Sequence, residues 1–397
     1  MVQPMSASRS LYERASPYIG GGSSRATLFT PPFPPYAARG SGHTIIDVDG
    51  HELIDLHANY TSLVHGNASP PVLAAAREAL ADGFCFGLPT LAEVELAEHL
   101  AARVPWAPRW RFAGSGTEAV MAAVRAARAF TGRDLILRFA CCYHGGSDAL
   151  LQPGARGVPA AAQADVLTLP LGDHDAFVSA VETHADRLAA VLLDLLPNRA
   201  GLAPVERSFA SLVRELTAAH GIVLILDEVI TFRLSPSGLH ALYGIEPDLV
   251  TLGKALGGGL PCGALGGRAA VMDVFDPALP DPIALAGTFS ANPVTMRAGL
   301  AALRALDPSA IARIDVLGER LRAGLAARGF TITGRGSLAK IHAPDLAALW
   351  RRLYAEGVLI AADGLCCVST IMDETVVDTA LDRFARAADR ASQRQRS

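Results

Sequence analysis

The chain has almost no lysine. Of its 35 basic residues only Lys254 and Lys340 are lysines, so arginine meets nearly every need for a surface cation or an ion-pair partner. It also lacks an excess of either charge. Its 35 Lys and Arg residues stand against 39 Asp and Glu, a net charge of -4 with a pI near 6.3. That balance excludes a global electrostatic footprint for nucleic acid or for an anionic membrane. No uncharged apolar run of about 18 residues occurs, and the first 30 residues lack the apolar centre of a secretory signal, so a soluble protein without a membrane span is expected. The six cysteines include no CxxC and are not spaced like a disulfide scaffold or a zinc site. A reducing cytoplasm and no bound metal are the corresponding expectations. There is no repeat of fixed period and no long low-complexity linker.

What is present is a large apolar chain: 397 residues, half of them hydrophobic, a length that suggests two to three domains. Between residues 110 and 270 short apolar runs alternate with helical patterns, as in strands joined by crossover helices in a parallel sheet. The expected strands are "DLILRF" (134–139), "AAVLLD" (189–194), "GIVLILD" (221–227), "DLVTL" (248–252) and "GALGG" (263–267). Their continuous apolar character implies burial on both faces. In "GTEAVMAAVRAARAFTG", Val120, Met121, Val124, Ala127 and Phe130 recur at helical spacing up to a stop at Gly132. A second helix is expected through "ERSFASLVRELTAAH", closed by Gly221. After about residue 300 long Ala/Leu/Arg helices surround a few short strands, which reads as a smaller α+β domain. "HTIIDVDGHELIDLH" (43–57) is a hairpin turned by Asp-Gly and is expected to pack with that domain. The expected division is an N-terminal segment over 1–55, a large domain over 56–297 and a small C-terminal domain over 298–397.

Lys254 lies in "TLGKALGGGLP" (251–261), a glycine-rich apolar run. A lysine kept against so strong an arginine bias suggests amine chemistry, because a guanidinium stays protonated while a desolvated amine attacks carbonyls; a solvated lysine on a turn is the plainer reading. In "RFAGSGTEAVMA" a strand ends in Gly-Ser-Gly-Thr and a helix begins, so unpaired N–H groups and two hydroxyls face one spot suited to a phosphate. An ordinary Ser/Thr helix cap gives the same letters. "GIVLILDEV" delivers Asp227 at the carboxyl end of a strand, where open α/β sheets bind ligands, and "DLVTL" ends two residues before Lys254. An acid and an amine at neighbouring strand ends, beside a phosphate site, say more together than any one of them; a buried ion pair is the alternative. "CCYHGG" (141–146) puts Tyr143 at the same edge, where an aromatic ring stacks on a planar group or fills a core.

The segments "SGTEA", "YHGG", "LDEV", "TLGKALGGGLPCGALGG" and "GTFSANPVTMRAG", in this order and spacing, resemble the signature segments of class III pyridoxal-phosphate aminotransferases. The likeness covers roughly residues 20–300 well and the last hundred loosely. It is nearest to the glutamate-1-semialdehyde aminomutase-like branch, and "SSRATLFTPPFP" with "DEVITFRLSPSGL" resembles bacterial β-amino acid aminotransferases. The resemblance implies fold type I: a mainly parallel seven-stranded sheet flanked by helices, plus a smaller α+β domain from the chain's two ends. It implies pyridoxal 5'-phosphate held as a Schiff base by Lys254, which also moves the proton, with Asp227 pairing with the pyridine nitrogen. Ser115, Gly116 and Thr117 would hold the phosphate, joined by Thr288 from the other subunit of a homodimer. Tyr143 would stack on one ring face, Val229 would pack under the other and His144 would support the site. Arg25 would grip a substrate carboxylate with two parallel hydrogen bonds; a plain surface arginine is the alternative.

Three departures bear on the substrate. Asp194 in "LLDLLPN" stands where the family usually has glutamate followed by proline; Gly66-Asn67 replaces a frequent Gly-His; and Asp363 lies about where some β-amino acid enzymes carry an arginine. Asp363 argues against a second arginine clamp, which points to a substrate with one carboxylate at most, or to an amine without one. The reading is therefore an aminotransferase. An aminomutase or racemase with the same cofactor, and a non-catalytic pyridoxal-phosphate-binding protein, are the competitors.

Overall fold

A computed structural model describes residues 5–394 of the chain. Residues 71–311 form one compact unit, and the segment up to Pro70 forms a second with the chain from Ala312 onward.

The first unit is built on a seven-stranded sheet. Its strands in chain order are β1 (Arg109–Ala113), β2 (Leu135–Phe139), β3 (Val166–Leu169), β4 (Leu188–Leu193), β5 (Val223–Asp227), β6 (Leu249–Leu252) and β7 (Gly263–Gly267). Their spatial order is β1-β7-β6-β5-β4-β2-β3. β2 to β6 are parallel, while β7 runs antiparallel to β1 and β6. The five apolar runs named from the sequence are β2, β4, β5, β6 and β7, each buried along its length. β3, half-buried at the sheet edge, has no counterpart among the expected strands.

The helix Gly116–Thr131 ends at Gly132 in the left-handed region, φ +67°, a geometry glycine adopts without steric cost. Its buried side is mostly alanine: Ala119, Ala122, Ala123, Ala126 and Ala127 with Val120 and Val124. Small residues let the helix lie close on β6 and β7. Met121 and Phe130, expected on the apolar face, are exposed instead; the alanines, not the large apolar residues, mark the packed side.

In the second unit Thr44–Asp47 and Glu52–Asp55 pair as the expected hairpin, flanked by Ala37–Ser41 and, in parallel, by Val358–Leu359. A separate antiparallel sheet holds Thr331–Arg335, Leu338–His342 and Leu365–Cys367. Both unit boundaries fall later in the chain than the cuts at 55 and 298, for reasons visible in the backbone. Residues 56–65 are tied to the C-terminal sheet region, with Cys367 N–H donating to Leu56 O at 2.8 Å and Thr370 N–H to Val64 O at 2.9 Å. The helix Pro293–Ala305 lies on the turn after β6: a Cβ on Gly299 would come within 2.5 Å of Leu256 O. No helix among the described residues is long and apolar enough to cross a membrane.

Candidate active site

Parallel strands aim their carboxyl ends at one edge of the sheet, and the larger unit gathers the expected residues there. Asp227 closes β5, and Lys254 follows β6 after Gly253. Gly116 begins the helix whose cap is Ser115, with Ser115 Oγ accepting from Glu118 N–H at 3.2 Å. Val229 joins these parts. A Cβ on Gly116 would meet Val229 Cγ2 at 3.0 Å, and one on Gly253 would meet Val229 Cγ1 at 3.2 Å and Gly116 Cα at 3.4 Å. The helix start, the second residue after Asp227 and the residue before Lys254 are therefore in mutual contact. The loop with Tyr143 and His144 closes on the same helix: Gly145, at φ +98°, has no room for a Cβ, which would fall 2.5 Å from Thr117 Oγ1.

Asp227 is almost wholly buried and fully engaged on its protein side. Its Oδ1 accepts from Val229 N–H at 3.0 Å, and its Oδ2 lies 2.7 Å from His144 Nδ1. His144 Nε2 is buried and has no hydrogen-bond partner among the described residues. Lys254 adopts φ +46°, a left-handed conformation that costs a non-glycine residue about 1–3 kcal/mol and clusters at functional sites. Burial pulls its ammonium below the ordinary lysine range, against the opposing pull of Asp227. A buried amine that sheds its proton readily is the form that attacks carbonyls.

Tyr143 is only partly covered, and the Arg199 guanidinium sits 4.0 Å above its ring centroid. Sequence reasoning missed Arg199, which stands in the irregular stretch "PNRAG" with no periodicity to flag it. It also missed a buried network beside the site. Glu228 accepts from the backbone of Leu239 and His240, and the His240 ring bridges Glu228 and Trp106. Trp106 donates to His240 Nε2, so the His240 proton sits on Nδ1 and faces Glu228.

Thr288 is exposed and lines an open cavity of about 560 Å³ with Phe86, Leu88, Glu118 and Met121. The lining of that cavity does not include Ser115, Gly116 or Thr117. Arg25 and Asp363 belong to the other unit. Arg25 Nη1 donates to Asn59 Oδ1 at 2.6 Å, from a turn in which Ala58, Asn59, Tyr60 and Thr61 all have positive φ. Arg25 and Asn59 rim a cavity of about 230 Å³ with Leu63, Trp350, Ile360 and buried His57. Burial, helped by the Arg25 charge, lowers His57 to about 4, so that ring is neutral. Asp363, which stands in place of a second arginine clamp, faces Lys340 Nζ at 3.2 Å.

The donor set fits a phosphorylated pyridine aldehyde. It provides a helix N-terminus with two hydroxyls for the phosphate, a buried carboxylate for a ring nitrogen and a desolvated amine for the aldehyde. Residues 30–389 match the family described as aminotransferase class-III. Glutamate-1-semialdehyde 2,1-aminomutase of Methanothermobacter thermautotrophicus is 42% identical over 328 residues, 80% of this chain and 78% of that protein. A solved transaminase with PLP bound superposes with a TM-score of 0.96 at 37% identity, covering 99% of this chain and 100% of the other. The β-phenylalanine aminotransferase of Variovorax paradoxus superposes with a TM-score of 0.89 at 36% identity, over 96% and 93%.

Proposed function

The chain belongs to the class-III aminotransferases, pyridoxal-phosphate enzymes of fold type I, and on that premise we propose that it transfers an amino group between an amino acid or amine and a keto compound, with Lys254 as the cofactor-carrying amine. Bound pyridoxal phosphate supplies an aldehyde and a ring that draws electrons from the substrate carbon. The protein's part follows from its own residues. Ser115, Gly116 and Thr117 hold the phosphate at the helix start. Asp227 holds the ring nitrogen in its protonated state, and His144 fixes the Asp227 carboxylate. Val229 and Tyr143 would help hold the ring, and Lys254 Nζ would take and return the proton at the substrate carbon.

The observation that carries this reading is the convergence of Lys254, Asp227 and the Gly116 helix start around Val229. Mixing the holoenzyme with amino donors tests it: a transaminase converts its cofactor to the pyridoxamine form and releases the keto product. A second reading, an intramolecular amino transfer, is favoured by the 42% identity to an aminomutase. Turnover of glutamate-1-semialdehyde without net release of a keto acid would select it.

The unit of function in this reading is a homodimer in which the partner subunit's Thr288 completes the phosphate site. In its support, Phe84, Phe86, Leu88, Leu91 and Phe289 are exposed, more large apolar surface in one region than a soluble monomer ordinarily presents. For the substrate, Arg25 is the carboxylate anchor in this reading, and the 230 Å³ cavity beside it suits a compact apolar body. That combination fits a β-amino acid with one carboxylate.

A further inference from the structure

We propose that Asp194, beside Asp227, is a neutral carboxylic acid in the folded protein, and that this neutrality keeps Lys254 free to lose its proton. The proposal rests on the reading in which Lys254 carries the cofactor, and it gives a role to a buried acid which that reading leaves idle.

The register of the sheet sets up the pair. β4 and β5 are parallel with Leu193 opposite Leu226, so the next residues, Asp194 and Asp227, leave neighbouring strands side by side. In-register neighbours project to the same face, with strands about 4.8 Å apart. Asp227 in turn lies opposite Thr251 on β6, three residues before Lys254. Both carboxyls are 6% exposed. Two buried like charges at this separation do not both ionise, and one takes up a proton.

The hydrogen bonds decide which. Asp227 receives the Val229 N–H on one oxygen and faces His144 Nδ1 with the other, whereas among the described residues Asp194 accepts only the Leu196 N–H, at 2.9 Å. Donors to a carboxylate stabilise its charge, and Asp194 has fewer of them than Asp227. The other titratable groups acting on Asp194 leave it no better off. Glu228 adds a like charge, and the Cys142 thiol is held protonated by its own burial. Lys254 is the one cation that draws Asp194 toward ionisation. Burial first, then Asp227, push the Asp194 carboxyl well above the usual range.

The consequence falls on Lys254. An ionised Asp194 beside Asp227 would set two negative charges against one amine and hold its proton in place. With Asp194 neutral, Asp227 alone opposes the desolvation that lowers the ammonium. Asp194 is thus a positioning residue acting through charge rather than through contact with the cofactor.

The test is the pH titration of the bound chromophore in Asp194→Asn holoenzyme. Asparagine copies a neutral acid, so the midpoint should stay within about 0.3 unit of wild type. If Asp194 is ionised, removing its charge should move the midpoint about one unit or more to lower pH, and that result overturns the proposal. The apoprotein gives a reading independent of the cofactor. A folded group with a raised value binds more protons than the unfolded chain, so wild type loses stability relative to Asp194→Asn as pH rises. The melting temperatures should diverge as pH rises above the unfolded aspartate value of about 4, with the variant ahead; a gap that does not change with pH also overturns the proposal. Should the asparagine variant fail to fold, Asp194→Ser serves for both measurements. A holoenzyme without a Lys254-linked chromophore would sink the cofactor assignment instead, and the apoprotein comparison would still decide the charge of Asp194.

Discussion

The chain's two lysines stand in regions that use the same side chain in opposite ways. Lys254 follows a buried parallel strand of the 71–311 unit, in a strained left-handed conformation. No carboxylate of the described residues lies within ion-pair distance of it, although Asp227 acts on it electrostatically. Lys340 sits in the middle of the antiparallel strand Leu338–His342 of the other unit, in ordinary extended backbone, with its ammonium 3.2 Å from Asp363. Under the proposed function one is placed where an amine would react, while the other pairs with an acid. An arginine replaces the second kind and not the first, which explains why a chain so poor in lysine keeps Lys254; for the choice of lysine over arginine at 340 the structure gives no reason.

Exchanging Lys254 breaks the comparison most severely if it is wrong. Lys254→Arg and Lys254→Ala should each cut turnover by roughly 10³-fold or more, because both the covalent anchor and the proton carrier are lost. Borohydride reduction of the holoenzyme followed by peptide mapping should mark Lys254 alone; a label on Lys340 would reverse the roles assigned here.

The next effect concerns the exposed surface beside the Lys254 unit. Leu88→Asp with Phe289→Asp should leave a folded chain but weaken dimerisation, since an unpaired charge buried in an interface costs about 2–5 kcal/mol. That corresponds to a dissociation constant raised by a factor between about 30 and several thousand. Light scattering over a dilution series would measure it, and activity should fall in step with the dimer. A fully active monomer would remove Thr288 from the cofactor site. In the second unit the expected effect is smaller. Arg25→Ala should raise KM for a carboxylate substrate roughly tenfold or more, from losing about 1.5–3 kcal/mol of charge-assisted bonding, with little change for an amine that has no carboxylate. Equal KM shifts for both substrates would mean that Arg25 shapes the entry segment rather than binding the acid.

The two regions also differ in how well they can be read from the sequence. The site in the 71–311 unit is legible because each part ends or begins an element with its own signal: a continuous apolar run before Asp227, another before Lys254, and a Gly-Ser-Gly-Thr start before a helix. Parallel topology then brings those ends together without any further information. The second unit has no such rule. Asp363 meets Lys340 because Leu365 pairs with Lys340 across an antiparallel ladder, a register that nothing in "AADGLCC" announces. The left-handed turn Ala58–Thr61 contains no glycine, so its conformation comes from tertiary contacts and not from local preference. β3 escaped for a related reason: a four-residue, half-buried edge strand carries too short an apolar pattern to stand out. Met121 and Phe130 misled because helical spacing records which residues share a face, not which face is covered.

The smallest effect closes the comparison at its other end. Lys340→Arg keeps a cation beside Asp363, whose side chain is 40% exposed against 11% for Lys340. Solvent around the acid screens the pair, and partly exposed ion pairs are worth about 0–1 kcal/mol. The strand is two-sidedly paired, with Thr333 and Leu365 opposite Lys340, so the backbone holds its register whichever cation it carries. The variant should therefore unfold within about 1 kcal/mol of wild type in a denaturant titration, and its kcat should be unchanged, while the same substitution at Lys254 abolishes turnover. Lys340→Met tests the neutralising role more sharply: it leaves the Asp363 charge without its amine, so the loss of stability should exceed that of Lys340→Arg and should shrink in Asp363→Asn, where there is no charge left to balance. A Lys340→Arg enzyme that folds normally yet loses turnover would show that the amine of Lys340, and not merely its charge, takes part in the reaction.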